Sequence, residues 1–436
     1  MIKRIFSAFA AVVMLAACHH DNPGNGGNEK PIINPNEVYG ATAVIDPATT
    51  YQTWDGFGAM NLGGDWDEAI DWSNKETDTL MGEMGLSIMR IRIPYDESKW
   101  ALLPEKVKYA VDTYGARVLA TPWTMPATMK APQVIKGKDE NGYVTVLKEN
   151  SYADYAAYLQ RFINYMAREG APIYAISIQN EPDWAPENEG CSWTAMEHLK
   201  FVKEQGQNIT GALLVSGESI KTDHSFYDPV LNDAAACDNI DIIGGHLYGT
   251  GTEPKPYPLA AQKGKALWMT EHQLSDSWRD NSSTWFESLD MAKEIHACLV
   301  NGWNAYIWWY GIRYYSFLGD GEANTVRGAV LPRGRLYAQF SKYIRPGDVR
   351  IGISLDKAGY LLATAFKAAD GRVSIVVVNP GPDIYKDFEI EVGNGFTTIS
   401  GSFTDSNLPA NLTPELRDGK IIVDIKATSV TSLEIR

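Results

Sequence analysis

The stretch AISIQNEPDW, residues 175–184, runs through an alternating apolar segment and then stops at an amide, a carboxylate and a proline. Apolar side chains on alternate positions are typical of a strand with a buried face. Pro182 cannot donate a hydrogen bond to a sheet, so a strand here has to end directly after Glu181. The stretch therefore predicts a buried strand that carries an acid at its carboxyl end.

Seven further apolar segments alternate with helical patterns between residues 54 and 345, for example the predicted helices 152–169 and 193–208. A helix after each strand requires parallel pairing with right-handed crossovers, and eight such units predict an α/β protein with a closed (β/α)8 TIM barrel. A doubly wound open sheet is the alternative, but no Gly-rich phosphate-binding turn follows the first strand. The predicted strands are 57–61, 87–93, 117–123, 173–180, 213–217, 240–246, 266–271 and 305–310.

The pattern changes after residues 345–347, where no convincing helix follows and turn signals separate short apolar runs. These runs predict a small antiparallel β module, with which the strand-like residues 37–46 could return to pair. The predicted strands of the module are 360–366, 373–378, 388–392 and 421–425. We therefore divide the folded chain into an N-terminal strand at 37–53, a barrel at 54–346 and the β module at 347–436.

The first residues are typical of a secretion signal. Lys3 and Arg4 precede an apolar run over residues 5–17, which is too short to span a membrane as a helix. The run ends in Leu15-Ala16-Ala17-Cys18, which resembles a bacterial lipobox; an ordinary cleavage site next to a Cys is the alternative. We expect residues 1–18 to be a lipoprotein signal, residues 19–36 to be a flexible linker, and the protein to be lipid-anchored through Cys18 to the outer membrane or cell surface.

Composition restricts the partners of the protein. A net charge of −15 without a Lys/Arg cluster argues against nucleic acid. Trp and Tyr, numbering 13 and 22, are abundant enough to line a sugar-binding cleft as well as a core. Cys191, Cys237 and Cys298 show no metal-ligand spacing and are expected to be buried fillers. We expect neither a metal nor a cofactor, and the absence of a heptad repeat favours a monomer.

Two of the predicted strands end in glutamate, the fourth at Glu181 and the seventh at Glu271. Polar residues at the carboxyl ends of barrel strands face the active-site mouth. Two acids that face each other across a cleft suit glycoside hydrolysis, in which one donates a proton to the leaving oxygen and the other attacks the anomeric carbon. The two environments have to differ, because the acid needs a raised pKa and the nucleophile a lowered one.

The chain from about Tyr51 onward resembles glycoside hydrolase family 30, in particular the bacterial xylanases of its subfamily 8. The resemblance implies a (β/α)8 barrel with a side β-sandwich that includes an N-terminal strand, with Glu181 as acid/base and Glu271 as nucleophile. It further implies substrate-site roles for Asn180, Arg90, Trp123, His246, Tyr248 and Trp309. The matching segments, in the family's order, are YQTWDGFGAMN, LATPWTMPATMK, YAISIQNEPDW, CSWT, IIGGHLYG, KPYPLA, LWMTEHQ, SLDMAKEIH, NAYIWWY and QFSKYIRPGDVRI.

Glucuronoxylanases of subfamily 8 recognise a 4-O-methylglucuronic acid branch on xylan through an Arg and a nearby Tyr, and Arg313 and Tyr315 stand at the matching offsets. A guanidinium suits a carboxylate because the hydrogen bonds are charge-assisted; pairing of Arg313 with Asp320 is the alternative. Ile312 and Gln273 replace an Arg and a Tyr that the family usually has, so the branch requirement stays open.

The resemblance implies a retaining endo-β-1,4-xylanase that cleaves glucuronate-branched xylan by double displacement. Two alternatives stay open. One is a family 30 glycosidase on another β-linked glycan, such as unbranched xylan or a β-1,6-glucan. The other is a glycan-binding lipoprotein without catalysis, which the intact acids at positions 181 and 271 disfavour.

Overall fold

The computed structural model describes residues 36–61, 70–249, 253–274 and 284–436. The predicted signal, Cys18 and nearly all of the predicted linker lie outside these residues. No helix in the described part of the chain has the length and apolar character that a membrane crossing requires.

Twelve strands precede the C-terminal module, and eight of them, β3 to β5 and β8 to β12, close into a parallel barrel. Each barrel strand pairs with the next one in sequence, and β12 closes the ring by pairing with β3. The predicted (β/α)8 barrel is therefore confirmed. The twelve strands are β1 (Glu37–Tyr39), β2 (Thr42–Thr53), β3 (Gly56–Asn61), β4 (Ile88–Ile93), β5 (Arg117–Pro122), β6 (Lys130–Ala131), β7 (Val146–Leu147), β8 (Ala175–Ser177), β9 (Leu213–Ser219), β10 (Ile242–His246), β11 (Ala266–Glu271) and β12 (Ala305–Trp308).

Helices cover the outside of the barrel and begin where sequence signals place them. In α3 the side chains of Tyr155, Leu159, Phe162 and Met166 recur every three or four residues and are all buried. The predicted helix 193–208 begins later, because the Thr194 hydroxyl accepts from the Glu197 amide in a capping box. The α-helices are α1 (Asn74–Thr77), α2 (Pro104–Tyr114), α3 (Tyr152–Arg168), α4 (Ala195–Gln205), α5 (His224–Asn232), α6 (Ala234–Asp238), α7 (Pro258–Gln262), α8 (Trp285–Val300) and α9 (Pro332–Ser341).

Shorter helical turns complete the barrel. A π-helical turn, Asp78–Glu83, continues α1, and 3-10 turns cover Glu97–Leu102, Ala127–Met129, Glu149–Ser151 and Gly206–Asn208.

The fourth barrel strand is shorter than predicted. Regular pairing of β8 stops at Ser177, but main-chain bonding to both neighbours continues irregularly to Glu181. The Asn180 amide donates to the Pro122 carbonyl at 2.9 Å, and the Glu181 amide donates to the Glu218 carbonyl at 2.8 Å. The acid still lies at the barrel rim, although a bulged segment rather than regular strand places it there.

The C-terminal module is one 11-stranded sheet that also contains β1 and β2. Side chains of β14 and β15, on one side of β2 in the strand order, share an apolar cluster with those of β16 and β20 on its other side, so the sheet curls over its own core. Its remaining strands are β13 (Val349–Asp356), β14 (Leu362–Lys367), β15 (Val373–Asn379), β16 (Ile384–Glu391), β17 (Ile399–Thr404), β18 (Ala410–Leu412), β19 (Glu415–Arg417), β20 (Lys420–Ile425) and β21 (Ser429–Ile435).

The strands of the C-terminal module pair antiparallel with one another, as predicted, and the N-terminal strands add two parallel pairs. Strands β1 and β2 both pair with β16 in parallel, whereas β2 pairs with β13 antiparallel. Hairpin turns impose antiparallel pairing on consecutive strands only. Strand β2 precedes the barrel in the sequence and β16 follows it, so no hairpin links the two strands.

The module rests on barrel helices α8 and α9. The Ser432 hydroxyl donates to the Gln339 carbonyl at 2.7 Å, and the Trp285 indole donates to the Thr428 carbonyl at 2.7 Å. Arg372 Nη2 lies 2.8 Å from both carboxylate oxygens of Asp348. This ion pair joins the residue before β13 to the residue before β15. The three cysteines 191, 237 and 298 are buried free thiols, as expected.

Candidate active site

Four barrel strands and the segment after a fifth bring charged side chains into one cluster. Arg90 comes from β4, Glu218 from β9, His246 from β10 and Glu271 from β11, while Glu181 follows β8. All five side chains are buried. Burying charges is unfavourable unless they are paired, so the contacts within this cluster decide its chemistry.

Glu181 and Glu271 face each other across the cluster. One carboxylate oxygen of each, together with a ring nitrogen of His246, lies within 4.8 Å of the other two atoms. Retaining glycosidases hold their two carboxyl groups about 5–5.5 Å apart, whereas inverting enzymes need about 6.5–9.5 Å to admit a water. The spacing here therefore suits attack on the sugar by one of the two acids.

Glu271 is held by two donors, one on each oxygen. Arg90 Nη1 donates to Oε2 at 2.5 Å, and the Tyr248 hydroxyl donates to Oε1 at 3.0 Å. The Arg90 side chain is fully buried, so this charge-assisted hydrogen bond is shielded from water. Both contacts fix the carboxylate in the orientation from which it can attack.

Glu181 lies in a different environment. Burial and the negative charge of Glu271 raise the pKa of Glu181, against the opposing effect of His246, whose Nδ1 lies 3.1 Å from Oε1. Its backbone φ is 45°, in the left-handed region that costs a non-glycine residue energy. Hydrogen bonds hold this conformation, because the Glu181 amide donates to Glu218 and its carbonyl accepts from the Trp184 amide at 3.1 Å. A raised pKa suits a proton donor.

His246 is fully buried among carboxylates. Burial lowers its pKa, but the charge of Glu271 and the contacts with Glu181 and Glu218 raise it to about 9. The ring is therefore a cation near neutral pH, and its Nδ1 faces Glu181.

Asn180 is oriented by Arg90, whose Nη2 donates to the Asn180 Oδ1 at 2.7 Å. Because this contact occupies the amide oxygen, the amide nitrogen is left to donate. The residue before the acid is thus held by the same guanidinium that contacts Glu271.

Aromatic side chains form a wall beside Arg90. The rings of Trp123 and Trp309 lie 6.0 Å apart and pack with Met60 and Tyr310. The Arg90 guanidinium lies 4.8 Å from the Trp123 ring centre, beneath this wall. Flat aromatic faces of this kind bind the apolar faces of sugar rings.

Arg313 and Tyr315 follow the eighth barrel strand, and the charge of a deprotonated Tyr315 is among the influences that raise the pKa of Tyr248, after burial and the nearby carboxylates. Arg313 Nη1 is 3.6 Å from the Asp320 Oδ2, and its guanidinium is 5.6 Å from the Tyr314 ring centre. Tyr315 is buried, and its backbone oxygen accepts from Arg333. The contact with Asp320 is the one that the sequence left as the alternative for Arg313. Ile312 is buried as well, whereas Gln273 is partly exposed.

Glu218 is the functional residue that sequence analysis missed. Its carboxylate lies 3.0 Å from Arg90 Nη2 and accepts from the Thr121 hydroxyl at 2.8 Å. The signal was the same as for the other two acids, namely a glutamate at the end of a barrel strand. The predicted fifth strand stopped at residue 217, two positions before the strand ends at Ser219, and so left Glu218 out.

The spacing of Glu181, His246 and Glu271 is also compatible with a metal ion. The donor chemistry speaks against one, since Arg90 already neutralises Glu271 at 2.5 Å and the pKa of His246 is raised to about 9. A cationic imidazole does not bind a metal. The cluster therefore fits proton transfer and nucleophilic attack by carboxylates.

Comparison with known proteins places this geometry in a family. Residues 85–306 match the glycosyl hydrolase family 30 TIM-barrel domain. The chain is 36% identical over 387 residues to glucuronoxylanase XynC of Bacillus subtilis (strain 168), covering 87% of each chain.

Solved structures agree with this match. The glycoside hydrolase family 30 subfamily 8 xylanase Xyn30A of Clostridium acetobutylicum superimposes with a TM-score of 0.79 at 32% identity, covering 90% of this chain and 99% of that one. A GH30 endoxylanase of Clostridium papyrosolvens C71 gives a TM-score of 0.78 at 31% identity, with coverage of 90% and 99%.

Proposed function

The chain belongs to glycosyl hydrolase family 30, and from this premise we propose that it is a retaining endo-β-1,4-xylanase that cleaves glucuronate-branched xylan. The observation that carries the mechanism is the separation of Glu181 and Glu271, whose nearest oxygens lie within 4.8 Å. The substrate is inferred from the relatives, of which two are glucuronoxylanases at 36% and 34% identity.

In the first step Glu271 attacks the anomeric carbon while Glu181 gives its proton to the leaving oxygen. The glycosidic bond breaks, and an ester bond forms between the sugar and the Glu271 carboxylate. Arg90 and Tyr248 hold both oxygens of Glu271 for this attack. The raised pKa of Glu181 keeps its proton available.

In the second step Glu181, now ionised, accepts a proton from water, and the resulting hydroxide attacks the anomeric carbon. The ester bond to Glu271 breaks and the sugar leaves with its original configuration. Asn180, fixed by Arg90 at 2.7 Å, is placed to donate to the sugar 2-hydroxyl, a contact that strengthens in the transition state.

We assign recognition of the glucuronate branch to Arg313 and Tyr315. Arg313 is partly exposed, with 21% of its side chain accessible, so a carboxylate from the branch can reach it. Asp320 competes for the same guanidinium at 3.6 Å, which weakens the preference for an acidic branch. This competition is the observation that favours unbranched xylan as a second substrate.

Arg313→Ala is expected to lower kcat/KM on glucuronoxylan by about 10-fold to 100-fold, equivalent to roughly 1.5–3 kcal/mol for a charged hydrogen bond. The products should each carry one glucuronate at a fixed distance from the reducing end, as mapped by mass spectrometry. Arg327→Ala is the matched control, because Arg327 is 55% exposed and pairs with Glu76 instead. Equal cleavage of unsubstituted linear xylan by the parent enzyme would remove the glucuronate assignment and leave unbranched xylan.

We also propose that the enzyme is lipid-anchored through Cys18. The support is the sequence Leu15-Ala16-Ala17-Cys18 after an apolar run, followed by a linker rich in Asn, Gly and Pro. In a bacterial host, Cys18→Ala is expected to move the protein from the membrane fraction to the soluble fraction and to abolish labelling by radioactive palmitate. Membrane association that persists in this variant contradicts the anchor.

A further inference from the structure

A third buried carboxylate, Glu218, lies directly behind the two that face the sugar. Its backbone carbonyl accepts from the Glu181 amide at 2.8 Å, and its own amide donates to the Gln179 carbonyl at 3.0 Å. Its side chain is fully buried. Substrate therefore has no access to this carboxylate, which acts on the reaction through its neighbours or not at all.

The neighbours of Glu218 make it an anion. Burial by itself would raise the pKa of Glu218. The charge of Arg90 and the contacts with His246 and Thr270 outweigh burial and lower this pKa to about 2. The Thr121 hydroxyl donates to Oε1 at 2.8 Å, while Oε2 lies 3.0 Å from Arg90 Nη2 and 3.6 Å from His246 Nε2. Burying an ion carries a free-energy penalty that a well-packed apolar residue would avoid. Packing alone therefore does not explain a glutamate at position 218.

Glu218 fixes the plane of the Arg90 guanidinium. Nη2 is positioned by the Glu218 carboxylate and the Asn180 oxygen, and Nη1 is then directed at Glu271. The guanidinium is a rigid planar fork, so holding one nitrogen sets the direction of the other. Arg90 pairs with Glu218 as well as with Glu271. Its positive charge therefore offsets only part of the negative charge on the nucleophile.

Glu218 likewise sets the state of His246. The titratable groups around this imidazole are Glu181 on the segment after β8, Glu218 on β9, Glu271 on β11, Arg90 on β4 and Tyr248, whose ring centre lies 5.9 Å from that of His246. Nε2 faces Glu218 at 3.6 Å and Glu271 at 4.0 Å, whereas Nδ1 faces Glu181 at 3.1 Å. Anions opposite Nε2 keep a proton on that nitrogen, and the ring then presents Nδ1 to the acid/base.

We propose that Glu218 is a positioning residue of this active site, whose buried carboxylate orients Arg90 toward the nucleophile and His246 toward the acid/base. The inference rests on the proposed double displacement. It concerns a residue that makes no contact with the sugar and whose removal changes the charge of the site by one unit.

The test compares Glu218→Gln, which keeps the shape and removes the charge, with Glu218→Asp, which keeps the charge. Glu204→Gln, the same change at an exposed position of α4, is the matched control. We expect Glu218→Gln to lower kcat on glucuronoxylan about 10-fold to 100-fold with KM changed less than about threefold, as for a lost charged hydrogen bond. The pH profile of kcat/KM should shift toward lower pH, since an anion has been removed.

A second measurement does not depend on turnover. The imidazole of His246, followed by ¹⁵N NMR and assigned with His246→Gln, is expected to titrate at least about one pH unit lower in Glu218→Gln than in the parent. Glu218→Asp should restore most of this titration while kcat stays reduced, because its carboxylate is one methylene shorter. Should Glu218→Gln fail to fold, Thr121→Val removes the hydrogen bond to Oε1 without changing any charge, and is expected to lower kcat about threefold to tenfold at unchanged KM.

Unchanged titration of His246 and an unchanged pH profile in folded Glu218→Gln would overturn the inference, even if the variant melts at a lower temperature. A normal kcat in Thr121→Val would overturn it as well. Failure of the proposed function has a different signature, namely a parent enzyme that leaves xylan intact while the NMR difference between parent and Glu218→Gln is present.

Discussion

Glu271→Gln is expected to lower kcat on xylan by at least about 10⁴-fold, equivalent to about 5.5 kcal/mol, because the amide cannot form the covalent bond to the anomeric carbon. The variant keeps the shape of the side chain and can still accept from Tyr248, so the fold should persist. Release of reducing ends from glucuronoxylan measures the rate. Circular dichroism of parent and variant confirms that structure is retained.

Covalent trapping separates the role of Glu271 from a general loss of function. A 2-deoxy-2-fluoro xylobioside with a good leaving group should label the parent enzyme on the peptide that contains Glu271 and leave Glu271→Gln unlabelled. Glu204→Gln, exposed on α4, should behave as the parent. Residual activity above about one per cent of the parent, or labelling of another acid, would contradict the assignment of the nucleophile.

Glu181→Gln is expected to lower kcat on xylan by about 10²-fold to 10⁴-fold, the range that general acid catalysis contributes. The rate of the first step should decrease much less for a nitrophenyl xylobioside than for xylan, because nitrophenolate leaves without a proton. The covalent intermediate then accumulates, since the second step still lacks its base. A burst of nitrophenolate followed by slow turnover is the measurement that reports this change.

The pH dependence of the same variant tests the acid separately. Glu181 has to be protonated in the first step, so activity falls as pH rises through its pKa. Burial and the charge of Glu271 raise that pKa, so the parent should remain active at higher pH than an ordinary glutamate would allow. Glutamine does not titrate, so the alkaline limb that the parent shows on xylan should be absent from the residual kcat/KM of Glu181→Gln on xylan. An unchanged alkaline limb would assign the titration to another group, with His246 as the first candidate.

Much of the fold could be predicted because it depends on local properties of the chain. Alternating apolar residues followed by Pro182 place an acid at the end of a strand, and the same strand-end pattern occurs at Glu271. Sequence analysis overlooked the short strands β6 and β7 and several strands of the β module, of which β21 reads SVTSLEI and mixes Ser and Thr into both faces. Both of its faces are nevertheless covered, because Val430 packs against the barrel and Leu433 against the core of the module.

The sequence by itself determined the barrel and the two acids at the strand ends, since burial pattern and strand termini are set by neighbouring residues. Only the tertiary structure decided how the charges pair. Arg90 and Glu271 are 181 positions apart, and Thr121 and Glu218 are 97 positions apart. Contacts of this kind depend on the register with which eight strands close into a ring. That closure brings Glu218 behind Arg90 and His246, and the local fold after β12 pairs Arg313 with Asp320.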